Sequence, residues 1–228
     1  MSSAEARVED SEAARMTDGE STSGDHSGKR SSRLAAKVSD KDEASLATVA
    51  VRDVALVAAL LSLFAAAESW ATASGLGFAR GLSVVDGLLV GAAIAAICHE
   101  WGHFAGARLA GGHSPLKPFG QFFPIFDFDY KNNDARSFDW MSIGGNAGDI
   151  GVVLLFFFAL PMTSLGVTAL VAGAIGFAVF ASAIEFPVIQ KARGGLTGIE
   201  ALSTIPRDFV RRYTRWGLAA AAVSLVVL

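Results

Sequence analysis

Val85-Asp86-Gly87-Leu88-Leu89-Val90-Gly91-Ala92-Ala93-Ile94-Ala95-Ala96-Ile97-Cys98-His99-Glu100-Trp101-Gly102-His103 is an apolar run that closes on a His-Glu-x-x-His motif. Residues four apart share one face of an α-helix, so His99 and His103 can grip one zinc ion together. Glu100 is turned about 100° from His99. That places it to take a proton from zinc-bound water without being a ligand. Ionisable groups at membrane depth are expensive, and where they occur they usually serve function. A helix end meeting the headgroups would tolerate the same groups, but this spacing is a rare coincidence in a chain with 4 histidines.

The composition around the motif is that of a membrane protein. Apolar residues make up 52% of the 228 residues, and mean hydropathy is +0.43 despite a polar start. Residues 1–47 are rich in Ser, Asp, Glu, Lys and Arg and hold no Phe, Trp or Tyr. Such a segment cannot bury enough apolar area to offset its ordering entropy, and reads as a disordered tail. It lacks the early apolar core of a secretory signal. The remainder, 48–228, reads as one membrane-embedded domain. Its apolar runs cover about 54–73, 82–110, 142–160, 163–189 and 216–228. A span needs about 20 apolar residues, so the first four qualify and the last is short. The expected fold is an all-α polytopic membrane protein with four to five transmembrane helices.

Loop charge sets the expected orientation. Lys29, Arg30, Arg33, Lys37, Lys41 and Arg52 precede the first run, and Arg108, Lys117, Lys131 and Arg136 follow the second. Lys191, Arg193, Arg207, Arg211, Arg212 and Arg215 follow the fourth, whereas the other connections hold Arg80 or nothing. The alternation predicts a cytoplasmic N-terminus and sets the His pair near the cytoplasmic end of its helix. The Ala- and Gly-rich spans suggest a bacterial inner membrane. The single cysteine, Cys98, excludes an internal disulfide and reads as a packing residue. A net charge of −3 carries no nucleic-acid signal.

A hydrolytic zinc site needs a third protein ligand and an open position. The carboxylates inside apolar runs are Glu68, Asp86, Asp149 and Glu185. Glu68 and Asp86 fall at the wrong end of their helices, whereas Asp149 and Glu185 match the depth of the His pair. Either can be the third ligand. Asn146 can hydrogen-bond a substrate carbonyl or a neighbouring helix. The small residues of Gly144-Gly145-Asn146-Ala147-Gly148 permit close helix approach, and Pro187 loosens the helix below Glu185. His113, after Gly111-Gly112, reads as a solvated loop residue.

Between the second and third runs, Phe126-Asp127-Phe128-Asp129-Tyr130 alternates as a half-buried strand does, and Asn132-Asn133-Asp134 reads as a turn. A short hairpin or re-entrant segment is expected beside the zinc helix. Phe126 and Phe128 are candidate substrate contacts, since a strand edge can hold an extended peptide. An aromatic interface anchor is the simpler reading.

His99-Glu100-Trp101-Gly102-His103 in a transmembrane helix, the aromatic loop and the Gly144–Asp149 stretch together resemble the site-2 protease family of intramembrane zinc metalloproteases (peptidase family M50). The resemblance covers roughly residues 82–200. It implies that His99 and His103 bind zinc and that Glu100 activates water to cleave membrane-embedded or membrane-proximal peptides. One departure is plain. Where that family carries a ligating Asp in a Leu-Asp-Gly motif, this chain has Leu196-Thr197-Gly198. Thr is a poor zinc ligand, so Glu185 or Asp149 must substitute, or the chain is an inactive relative. The alternative to a protease is therefore a pseudoprotease acting as a membrane scaffold or helix-binding protein. A different membrane metalloenzyme is a third reading. A di-iron desaturase would need more than His26, His99, His103 and His113.

Overall fold

A computed structural model describes residues 45–228. The tail expected over 1–47 lies outside the described residues except at its end, where Leu46 and Ala47 already belong to the first helix. The chain forms α1 (Leu46–Ser74), α2 (Gly77–Leu109), α3 (Ala135–Ala159), α4 (Leu165–Arg193), the short α5 (Gly198–Ser203) and α6 (Phe209–Val227). The first four are long and apolar enough to cross a membrane. The fold is thus all-α and polytopic. Outward-facing Leu, Val and Phe along these helices, among them Val54, Leu89 and Phe158, present apolar surface of the kind lipid accepts.

Local chemistry sets the helix ends. Ser45, Asp134 and Ser164 each accept a hydrogen bond from the backbone N–H three residues on, at Thr48, Ser137 and Val167. These are N-caps that satisfy otherwise orphaned donors. Gly75, at φ 65°, closes α1 and turns the chain straight into α2. Apolar composition underestimates helix length, because helices continue into polar flanks. α3 begins at Ala135, well before the expected 142. α4 runs past Pro187 to Arg193, so that proline does not end it.

α2 is the central element and packs against α1, α3 and α4. Its seam with α3 depends on bare backbone. Gly102 and Gly144 face each other so closely that a Cβ on either would strike the other's carbonyl. This proximity joins the end of α2 carrying His99 and His103 to the start of α3. α6 runs antiparallel to α4, with Tyr213 beside Pro187 and Gly217 against Gly176. It is amphipathic, unlike the uniformly apolar helices, and it is not among the four helices that meet the length and hydropathy of a span.

The segment between α2 and α3 folds back as an irregular hairpin. Leu116 and Phe126 form an antiparallel bridge. Lys117 N–H donates to Ile125 O at 2.9 Å and Asp127 N–H to Pro115 O at 2.9 Å. The expected hairpin is present in this reduced form, and its second limb pairs with 113–117. Asp129 closes it by accepting from the Asn132 side chain and from the Lys131 and Asn132 backbone. Led by the Asn132 side chain, these donors hold its carboxyl below the usual carboxylate range. Ile125, Phe126, Phe104, Phe138, Met141 and Val188 build a core under the loop.

Candidate metal centre

Three helix ends meet on one side of the bundle: the C-terminal part of α2, the N-terminal part of α3 and the C-terminal part of α4. They bring His99, His103 and Glu185 into a group that could hold a metal ion. His99 Nε2 and His103 Nε2 are 2.9 Å apart. Glu185 Oε1 lies 3.1 Å from the first and 2.8 Å from the second. A tetrahedron with metal–ligand bonds of 2.0–2.1 Å has edges of about 3.3–3.4 Å. The triangle of donors is close to one face of such a tetrahedron.

The surroundings fix which atoms face inward. His103 Nδ1 lies 2.8 Å from Met141 O. A carbonyl only accepts, so Nδ1 carries the proton and Nε2 the lone pair. His99 Nδ1 lies 2.9 Å from Asp149 Oδ2; with Asp149 ionised Nδ1 donates to it, and a neutral His99 then turns its Nε2 lone pair inward. Three lone pairs then converge on one point. Only a positive centre relieves that arrangement, either a metal ion or a proton on one imidazole. The donor chemistry therefore fits a divalent metal.

Asp149 thus stands behind His99 rather than in the group. It is 1% exposed, and its Oδ1 is buried without a hydrogen-bond partner among the described residues. Asn146 is spent on its neighbours. Its Nδ2 donates to Glu185 Oε2 at 2.6 Å and its Oδ1 accepts from Ser182 Oγ at 2.7 Å. That leaves Glu185 Oε1 turned toward the imidazoles, and makes Asn146 a helix contact. Gly145 lies directly under the His103 ring, where a Cβ would collide with three of its atoms.

Glu100 is half-buried, and its Oε2 accepts from Ile125 N–H at 3.2 Å. It lines a cavity of ≈ 320 Å³ together with His103 and Glu185, walled by Phe126, Phe128, Met141, Ile184, Val188 and Ile205. Tyr130, at the cavity rim, has its phenol pushed upward by burial. The carboxylate, two of the donors and both candidate aromatics therefore share one space.

The other candidates lie elsewhere. His113 is exposed and faces Asp129. Cys98 packs against the apolar core of the bundle. Glu68 accepts from Ser83 near the far ends of α1 and α2. Thr197 caps α5 reciprocally with Glu200, each side chain bonding the other's backbone. Thr197 is thus a helix start. The sequence marks Arg52 only as a flanking positive charge and gives Asp53 no role. Asp53 accepts from Trp101 Nε1 at 2.9 Å, and the one visible signal was an ion-pair-capable couple at the edge of the first apolar run. No protein-family model, curated protein or solved structure matches this chain.

Proposed function

We propose that this chain is an intramembrane zinc metalloprotease that hydrolyses peptide bonds in or beside the bilayer. The observation that carries the reading is the convergence of three lone-pair donors, with Glu100 on the same cavity. Two imidazoles and a carboxylate are a donor set of hydrolytic zinc sites that leave a position open. Zinc, when bound, would supply a Lewis acid that polarises a carbonyl and acidifies water. His99, His103 and Glu185 would hold it, while Asp149, Met141 O and Asn146 keep those donors turned inward. Glu100 takes at its carboxylate a proton from the water that adds to the peptide carbonyl carbon, and passes it to the amine nitrogen as the C–N bond breaks. The apolar cavity walls exclude bulk water and receive an apolar side chain of the peptide.

The same donors also suit non-haem iron. Glu100, a carboxylate outside the donor group, favours the hydrolytic metal. Thr197 speaks for a scaffold role, but Glu185, beside both imidazoles, would supply a third donor, and this favours catalysis. Loop charge supports a cytoplasmic N-terminus with the centre near the cytoplasmic face, and the Ala- and Gly-rich spans point to a bacterial inner membrane. Glu100→Gln should keep the metal and abolish cleavage of a membrane-embedded reporter peptide. Cleavage surviving in that variant would remove Glu100 from the chemistry. A folded protein that binds no metal would return the chain to the scaffold reading.

A further inference from the structure

We infer that Arg52 and Asp53 are positioning residues that hold the loop 117–126 in place and thereby aim Glu100. The inference rests on the proposed role of Glu100. Asp53 is 5% exposed. It accepts from Arg52 Nε at 2.7 Å through one oxygen and from the Trp101 indole N–H at 2.9 Å through the other. Arg52 Nη1 donates to two loop carbonyls, Phe119 O at 2.9 Å and Gln121 O at 2.8 Å. The guanidinium also lies over the Phe122 ring, 4.7 Å from its centroid.

These contacts close a ring. Trp101 binds Asp53, Asp53 binds Arg52, and Arg52 binds the turn of the loop. The loop returns through Ile125, whose N–H donates to Glu100 Oε2. Glu100 is the sequence neighbour of Trp101. With Oε2 held by a fixed backbone donor, the carboxylate presents Oε1 for proton transfer, and its rotation is restricted before substrate arrives. Arg suits this task because its planar fork bonds a carboxylate and carbonyls at once. Lys, a compact point charge, cannot span them.

The test uses the full chain in detergent with zinc supplied, comparing wild type, Arg52→Met, Asp53→Asn and Trp101→Phe. Asp53→Asn is nearly isosteric, so it guards against loss of folding in the other two, whereas Trp101→Phe removes the indole N–H together with part of a ring packed on the core. Hydrogen exchange of the 117–126 segment should rise about tenfold or more in Arg52→Met, with zinc content unchanged and the helices still protected. On a membrane-embedded reporter, kcat should fall about 10–100-fold while KM moves less than threefold, as for a misplaced catalytic group. Arg52→Lys should not restore it. Unchanged loop exchange in all three variants, or a loosened loop with intact kcat, would overturn the inference. Should the wild type cleave no reporter, the proteolytic reading fails separately. The exchange experiment still decides whether the pair holds the loop: protection of Ile125 in Arg52→Met refutes it, and release of Ile125 upholds it.

Discussion

The two ends of the bundle each hold a half-buried carboxylate among apolar helices, and they treat it in opposite ways. At one end Glu185 meets His99 and His103 with every other hydrogen-bonding position turned outward, so acceptors face acceptors. At the other end Glu68 meets the Ser83 hydroxyl, a donor, beside Arg80 in a shared pocket. The far carboxylate is answered by the protein itself. The near one belongs to a group that could hold a metal ion. Burial of ionisable groups alone therefore does not distinguish a group that could hold a metal ion; the partners that neighbours turn toward it do.

The largest expected effect separates the ends outright. Glu185→Ala or His99→Ala should drop metal content from about one per chain to below about a tenth, because one donor of three is lost. Glu68→Gln should leave it unchanged. Elemental analysis of purified protein reads both, and loss of metal in the far-end variant would erase the distinction. Next comes the support behind the donors. Asp149→Asn should weaken metal binding by about 10–100-fold while the donors remain, measured by competition with a chelator. Gly145→Ala should displace the His103 ring, lowering metal affinity and destabilising the fold by about 1–3 kcal/mol through overpacking. Thermal melts with and without metal separate those two consequences. The smallest effect falls on Thr197. Thr197→Asp should leave metal content unchanged, since an aspartate there still caps α5. A gain in affinity would mean that α5 can reach the centre.

The reach of the sequence follows the range of each interaction. His99, Glu100 and His103 are legible because their chemistry lies within one helical turn. Glu185 and Asp149 are legible as candidates, since depth along an apolar run selects them. Choosing between them is not, because it depends on which atom of His99 each carboxylate faces. The hairpin showed through its alternation at Phe126–Tyr130, but its partner limb, 113–117, carries no such pattern. Apolar runs stop short of the helix ends at Ala135 and Arg193, where polar residues continue a helix that hydropathy no longer tracks. Asp53 was invisible because its meaning comes from Trp101, 48 residues away. Met141 acts through its backbone carbonyl, which no side-chain motif can report.

The most direct test is X-ray absorption at the zinc edge on the wild-type protein. The structure predicts a first shell of two imidazole nitrogens and one carboxylate oxygen at about 2.0–2.1 Å, with the oxygen contribution altered by Glu185→Gln and the shell composition preserved in Asp149→Asn. A shell containing sulfur from Cys98, a shell insensitive to Glu185, or a folded protein that takes up no zinc would contradict it.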